Sequence, residues 1–387
     1  MDKETICLCA LNRIYGFEPK TGLHLLDTFG SASALFEADA RDLCAAMGPY
    51  ADRSGQFGAD AFDAAAMELE TLAQSGCVFI GIRSPGYPEL LLECGDPPIG
   101  LYFKGFSSPE TVFGSRPAIA VIGTRDISSY GREWCARIVE ALARSTAKPL
   151  IVSGLALGTD ILAQVSALEA GLPTVSVMAT GIDAIYPARH KDIAIRIAET
   201  EGCALVTDYP PQTEPLRYNF LRRNRIIAGI CRATVLIESK IKGGGMMTAR
   251  LAASYDRDVF ALPGRIDDPK SQGCNLLIRE NIAQQIGDLG EFLDKLGFGN
   301  PGIRTKADFR AAVENQYREQ FPDESLREIV AVAMAVKRHR GLTLDDLSAM
   351  LKWPYGKVAR YTGLLECDGF ISVDLLQKCC ANVGKTY

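Results

Sequence analysis

AIAVIGTRDISSYGREWCARIVEALARSTAKPLIVSGLALGTD, residues 118–160, decides the fold. It opens on a continuous apolar, β-branched run, Ala118–Gly123. An amphipathic segment follows, Tyr130–Arg144, and then a second apolar run, Leu150–Gly154. Strands without polar alternation are buried on both faces, and such strands separated by helices predict a parallel sheet covered on both sides.

The same alternation extends downstream. Thr174–Ala179, Ala204–Thr207, Thr234–Glu238 and Val259–Leu262 read as further strands, and Gly158–Ala170, His190–Thr200 and Met246–Tyr255 as the helices between them. The expectation is an α/β fold, a Rossmann-like doubly wound, mostly parallel sheet over residues 115–297.

Upstream, residues 1–75 have a helical pattern broken at Gly30-Ser31, which predicts a small N-terminal helical domain. Residues 76–114 carry prolines at 85, 88, 97 and 98 and read as a strand-like connector to the core. Downstream, residues 298–323 read as a partly helical linker. Residues 324–387 suit a winged-helix-like domain: a turn at Gly341, helices at Leu344–Leu351 and Gly356–Cys367 separated by Pro354, and a short strand at Phe370–Val373.

With 387 residues and 47% hydrophobic composition, the chain is long enough for two or three domains with a sizeable core. Its net charge is −5, so binding to nucleic acid has to come from a local basic patch. The twelve cysteines form no zinc-ribbon pair and histidine is scarce, which predicts free thiols in a reducing compartment and no metal site. The N-terminus lacks a signal-peptide pattern and no run of about 18 apolar residues occurs, so a soluble, cytoplasmic protein without membrane contact is expected.

Four segments at strand ends carry chemistry. Gly123-Thr124-Arg125 offers close backbone approach, a hydroxyl and a guanidinium to a phosphate, with the helix N-terminus at Ser128-Ser129 adding N–H donors; it equally suits an ordinary loop with a solvated arginine. Ser153-Gly154 begins a second turn whose glycines, Gly154 and Gly158, lack the dinucleotide-binding spacing and also fit a packing role. Residues 215–232 hold five basic residues and no acid, with Tyr218 and Phe220 interleaved. Arginines for phosphates and a flat ring for an exposed base are what single-stranded nucleic acid requires, although a solvated helix face with Phe220 in the core has the same composition. Lys240–Thr248 places Gly243, Gly244 and Gly245 at a helix N-terminus beside two lysines, an anion nest without the P-loop spacing.

These residues resemble the DNA-processing protein A (DprA/Smf) family. The resemblance rests on VIGTR at 121–125, SGLALGTD at 153–160, GIDAIYP at 181–187, the run from Phe220 to Gly229, GGGMMTARLA at 243–252 and LPGRIDDPKSQGCNLLIREN at 262–281; the segment 87–105 also matches. It implies a Rossmann-like core that binds single-stranded DNA, protects incoming DNA in natural transformation, loads the RecA recombinase and works as a homodimer. It implies no catalytic residue and no cofactor. Carried over by motif, Arg125 holds a phosphate, Arg217 stands at a basic position, Phe220 stacks on a base, and Lys242 precedes the glycine turn. The full DNA-binding set expected is Gly123, Thr124, Arg125, Ser153, Gly154, Arg189, Arg217, Phe220, Arg223, Asn224, Arg225, Lys242, Gly243 and Gly244. Thr124 stands where serine is common in the family. Gly243–Met246 replaces a common Ser-Gly-Ser-Leu, which removes a hydroxyl donor.

Two other functions suit parts of the chain. GGGMMT resembles the phosphate turn of nucleoside-monophosphate phosphoribohydrolases, but the helix it opens has no glutamate for acid/base work, and Glu169 lies on another helix. A protein-interaction scaffold is the second. For the C-terminal region, Lys352, Lys357 and Arg360 suit duplex DNA or a protein contact. Leu276, Leu277, Ile278 and Ile282 mark residues 274–286 as the expected dimer face.

Overall fold

The computed structural model describes residues 2–299, 309–318, 320–339, 342–373 and 378–381. They fall into two compact units that divide between Phe298 and Gly299.

The first unit opens with five helices, α1 (Lys3–Tyr15), α2 (Pro19–Phe29), α3 (Ala32–Glu37), α4 (Ala40–Met47) and α5 (Ala59–Gln74). Strand β1 (Cys77–Gly81), short helix α6 (Glu89–Leu92), β2 (Gly100–Gly105) and α7 (Pro109–Gly114) follow. The alternating part then runs β3 (Ala118–Ile122), α8 (Ser129–Arg144), β4 (Leu150–Ser153), α9 (Thr159–Glu169), β5 (Thr174–Val177), α10 (Lys191–Glu199) and β6 (Ala204–Thr207). It continues with α11 (Arg217–Ile230), β7 (Ala233–Leu236), α12 (Gly244–Ser254), β8 (Asp258–Ala261), α13 (Gln272–Arg279), β9 (Gln284–Gln285) and α14 (Leu289–Lys295).

The nine strands form one sheet in the order β1-β2-β6-β5-β4-β3-β7-β8-β9. From β6 to β9 all neighbours are parallel, as the sequence predicts. The segment expected as a connector, 76–114, instead supplies β1 and β2, which add antiparallel to the edge at β6. Its prolines lie between these strands, outside the ladder, which is why they do not interrupt it.

Successive residues of β3 point to opposite faces. Ala118, Ala120 and Ile122 join a hydrophobic cluster with helices α1–α5 and α10–α12, while Ile119 and Val121 join another with α8, α9 and α14. The N-terminal helices thus share a continuous core with the sheet. The chain winds from β3 through β4, β5 and β6 in one direction, then crosses to β7, β8 and β9 in the other. The β3–β7 boundary is therefore a topological switch point, where the loops diverge and open a crevice at the carboxyl ends of the strands.

The second unit contains α15 (Phe309–Tyr317), α16 (Asp323–Arg338), β10 (Leu342–Thr343), α17 (Leu344–Leu351), α18 (Tyr355–Cys367), β11 (Ile371–Val373) and β12 (Lys378–Ala381). Its strands pair antiparallel in the order β10-β12-β11. Helix α15 occupies part of the stretch expected as linker; residues 300–308 and the expected turn at Gly341 lie outside the described residues. Among the described residues no helix is long and apolar enough to cross a membrane.

Candidate functional site

At the switch point lies a cleft of about 610 Å³. Its wall gathers Gly123, Thr124 and Arg125 after β3, Asp160 at the start of α9, Arg217 and Phe220 on α11, and Lys240, Lys242 and Gly243–Gly245 after β7. Arg125, Arg217 and Lys242, expected to converge from three distant segments, do line one space. Lys240, the other lysine of the glycine turn, lines it too, as does Tyr186, which the sequence did not single out as a site residue. Arg125, Arg217, Lys240 and Lys242 are exposed, so their charge is directed at solvent and ligand.

Helix geometry explains which residues of the basic run reach the cleft. Arg217, Phe220, Leu221 and Asn224 stand at i, i+3, i+4 and i+7, one face of α11, and all four line the wall. That spacing was readable in the sequence; it does not mark Arg223, which reaches the cleft at its floor from off this face.

Arg225 lies off this face. It is buried and pairs with buried Asp208 at 2.6 Å, and its guanidinium also donates to the Asp96 carbonyl. It fixes α11 to the sheet and presents nothing to the cleft. Arg223 is also buried. Its Nη1 donates to the Gly154 carbonyl at 2.8 Å and to the Val177 carbonyl, and its Nε to Asn224, so it forms part of the cleft floor with those donors engaged within the fold. Beside it, burial pushes the Asp160 carboxyl up, and the Arg223 charge pulls it partly back. Asp160 accepts the Gly154 N–H at 3.1 Å.

The Ser153-Gly154 turn serves packing. The Ser153 hydroxyl is fully buried and donates to the Val121 carbonyl at 2.7 Å. A Cβ on Gly154 would stand 2.5 Å from the Arg223 guanidinium, so the glycine makes room for that arginine. Gly158, at φ +76°, lets the turn approach the Thr124 and Arg125 carbonyls closely enough to fix the first loop. Arg189 is exposed in the turn Ala188–His190, outside the cleft wall.

The two helix N-termini expected as anion sites differ. At α8 the place is taken by the protein: the buried Glu238 carboxylate accepts from the Ser128 N–H at 2.9 Å and from the Ser128 hydroxyl. At α12 no side chain caps the start, and Gly243, Gly244 and Gly245 face the cleft. The unsatisfied N–H groups and positive end of this helix, flanked by Lys240 and Lys242, favour an anion.

The aromatic component is a pair. The Phe220 and Tyr186 rings meet edge-on, with centroids 5.4 Å apart and planes at 61°. Phe220 is half-buried and Tyr186 is 47% exposed. Phe220 therefore belongs to the cleft wall, not to the core.

In the second unit, Lys357 bonds Glu328, which also accepts from the Tyr361 hydroxyl at 2.8 Å, so this lysine is held within the fold; Lys352 and Arg360 are exposed. Among the described residues no cluster of histidine, cysteine or acidic side chains could hold a metal.

Fold and cleft together define an open, doubly wound α/β protein whose switch point collects cations, aromatic rings and an uncapped helix N-terminus, the fittings of a site for a phosphate-bearing ligand. The chain belongs to the DNA recombination-mediator protein A family, whose profile matches residues 78–297. Protein Smf of Synechocystis is 38% identical over 229 residues, 59% of this chain and 56% of that protein. Protein Smf of Escherichia coli is 38% identical over 228 residues, 59% of each chain. The matched regions thus span little more than half of these two relatives. The putative DNA processing protein DprA of Mycobacterium tuberculosis is 32% identical over 324 residues, 79% of each chain. In structure, DprA of Streptococcus pneumoniae superposes with a TM-score of 0.63 at 29% identity, over 74% of this chain and 97% of that one. DNA processing protein A of Helicobacter pylori, whose structure concerns its mode of binding single-stranded DNA, gives a TM-score of 0.50 at 29% identity, over 56% of this chain and 95% of that one.

Proposed function

We propose that this protein binds single-stranded DNA in the switch-point cleft and acts as a recombination mediator. It protects exposed or incoming strands in the cytoplasm and, as a homodimer, loads the RecA recombinase onto them. The observation that carries the reading is the convergence of Arg125, Arg217 and Lys242 on one cleft whose wall also holds Phe220. Cations spaced along a rim suit a chain of phosphates, and rings between them suit unstacked bases, which duplex DNA does not offer. The single-stranded DNA bound by the Helicobacter pylori relative supports the same ligand.

The roles divide accordingly. Arg125, Arg217, Lys240 and Lys242 pair with phosphates, the α12 N-terminus receives one more, and Phe220 with Tyr186 stacks on a base. Gly123 and Thr124 shape the rim. Arg223, Arg225, Ser153 and Gly154 hold the scaffold. A nucleotide-hydrolysing role has weak chemical support: Glu238 is committed to the start of α8, and Asp160 is sunk in the floor beside Arg223. In the second unit, helices α16–α18 and the three-stranded antiparallel sheet suit a winged-helix-like module. In the proposed dimer face Leu276, Ile278 and Ile282 are half-buried, whereas Leu277 belongs to the core.

Titration of fluorescent oligo(dT) and of a duplex of equal length across a salt series tests the reading. Tight, salt-dependent binding that favours the single strand is expected. Equal affinity for both, or no binding at low salt, overturns it.

A further inference from the structure

Two half-exposed aromatic residues outside the cleft are unaccounted for by the site described so far. Phe17 lies between α1 and α2 and is 47% exposed; Tyr218 lies on α11 and is 52% exposed. Their ring centroids are 6.1 Å apart, with planes at 50°. Large apolar rings left in water as a cluster mark a contact surface more often than single scattered ones do.

Phe17 is held in place. The Tyr209 ring packs against it with centroids 5.7 Å apart, and the Arg222 guanidinium stands 4.8 Å from its centroid while donating to the Gly16 carbonyl. A ring fixed before contact loses little freedom on binding. Tyr218 follows Arg217 directly and stands three residues before Leu221, the spacing at which side chains on a helix are neighbours. Leu221, 44% exposed, lines the cleft on the same turn of the helix. Leu221, Tyr218 and Phe17 thus lead from the cleft, beside Arg217, to the turn between α1 and α2.

We infer that single-stranded DNA held in the cleft continues onto a second stacking platform made by Phe17 and Tyr218. This rests on the DNA-binding reading above. The occupant is a run of bases because these side chains start beside a phosphate-binding arginine and continue the cleft's own surface. Arg222, the cation closest to Phe17, is already engaged by the ring and by the Gly16 carbonyl. The platform thus adds stacking and no phosphate pairing, and the two contributions separate in experiment: stacking lengthens the footprint without changing the salt slope.

The test uses the full chain with oligo(dT) of about six and about sixteen nucleotides, lengths that bracket common single-strand footprints. Tyr218→Ala should leave the shorter oligonucleotide's affinity unchanged and weaken the longer by about tenfold, with Phe17→Ala/Tyr218→Ala weaker still and the salt slope constant. Tyr218→Trp should retain the affinity for the longer strand. Equal loss at both lengths, or none at either, overturns the platform while the cleft reading survives. A wild-type protein that binds neither length overturns the DNA-binding reading itself. Should Phe17→Ala melt early, Tyr218→Ala alone decides, because its side chain is half in solvent on a helix surface.

Discussion

The guanidinium carbon of Arg125 lies 5.1 Å from the centroid of the Phe220 ring. The phosphate-binding group and the base-stacking group of the proposed site therefore rest on each other in the free protein. An arginine over a ring at an exposed position gains about 0.5–1 kcal/mol, enough to order both side chains and small enough to be exchanged for a ligand. In the proposed complex, a base stacking on that face of Phe220 would displace the guanidinium and free it to pair with a phosphate.

Arg125→Ala should weaken single-strand binding for every sequence and reduce the salt slope, since each lost phosphate contact on a single strand removes about 0.7 from it. Arg217→Ala should do the same. Measuring affinity at several salt concentrations checks this. An unchanged slope would place these arginines outside the phosphate path.

Phe220→Ala should cost about 1–3 kcal/mol of binding while leaving the salt slope alone, because a ring releases no counterions. Phe220→Trp should preserve affinity. A variant that shifts only the melting temperature would return Phe220 to a packing role.

How far these sites were legible in the sequence depended on whether a residue's role is set locally. β3 and β4 were readable because strands buried on both faces are continuously apolar, and Arg125 was readable because it follows directly on such a strand. β1 and β2 were obscured by prolines that lie in the turns beyond their ends. Arg223 and Arg225 looked like their neighbours because a basic residue in a string does not declare its partner. Gly154 and Asp208, which engage them, are 69 and 17 residues away. Glu238, which fills the start of α8, lies 110 residues beyond Ser128, so that occupied helix terminus looked free.

Arg225→Ala should destabilise the fold by about 3–5 kcal/mol, because it strands the buried Asp208 charge. Denaturant unfolding measures this. At temperatures where the variant is folded, its salt slope for oligo(dT) should match the wild type, since Arg225 touches no cleft surface. A reduced slope would show that the guanidinium leaves Asp208 to reach the strand.

Asp160 makes stability pH-dependent in a direction opposite to that of a surface carboxylate. Burial raises its folded pKa, and the nearby Arg223 charge opposes that shift only in part. Above a pH of about 4 the unfolded chain releases the Asp160 proton while the folded chain still holds it. The native state then binds more protons, so this group's contribution to stability falls as pH rises from about 4 through the folded pKa, and is level beyond it. Asp160→Asn keeps an acceptor for the Gly154 N–H and removes the titration. The stability difference, wild type minus variant, should therefore decline across that window in denaturant unfolding measured at successive pH values. A difference that stays constant, or grows with pH, would mean that Arg223 stabilises the carboxylate more than burial penalises it.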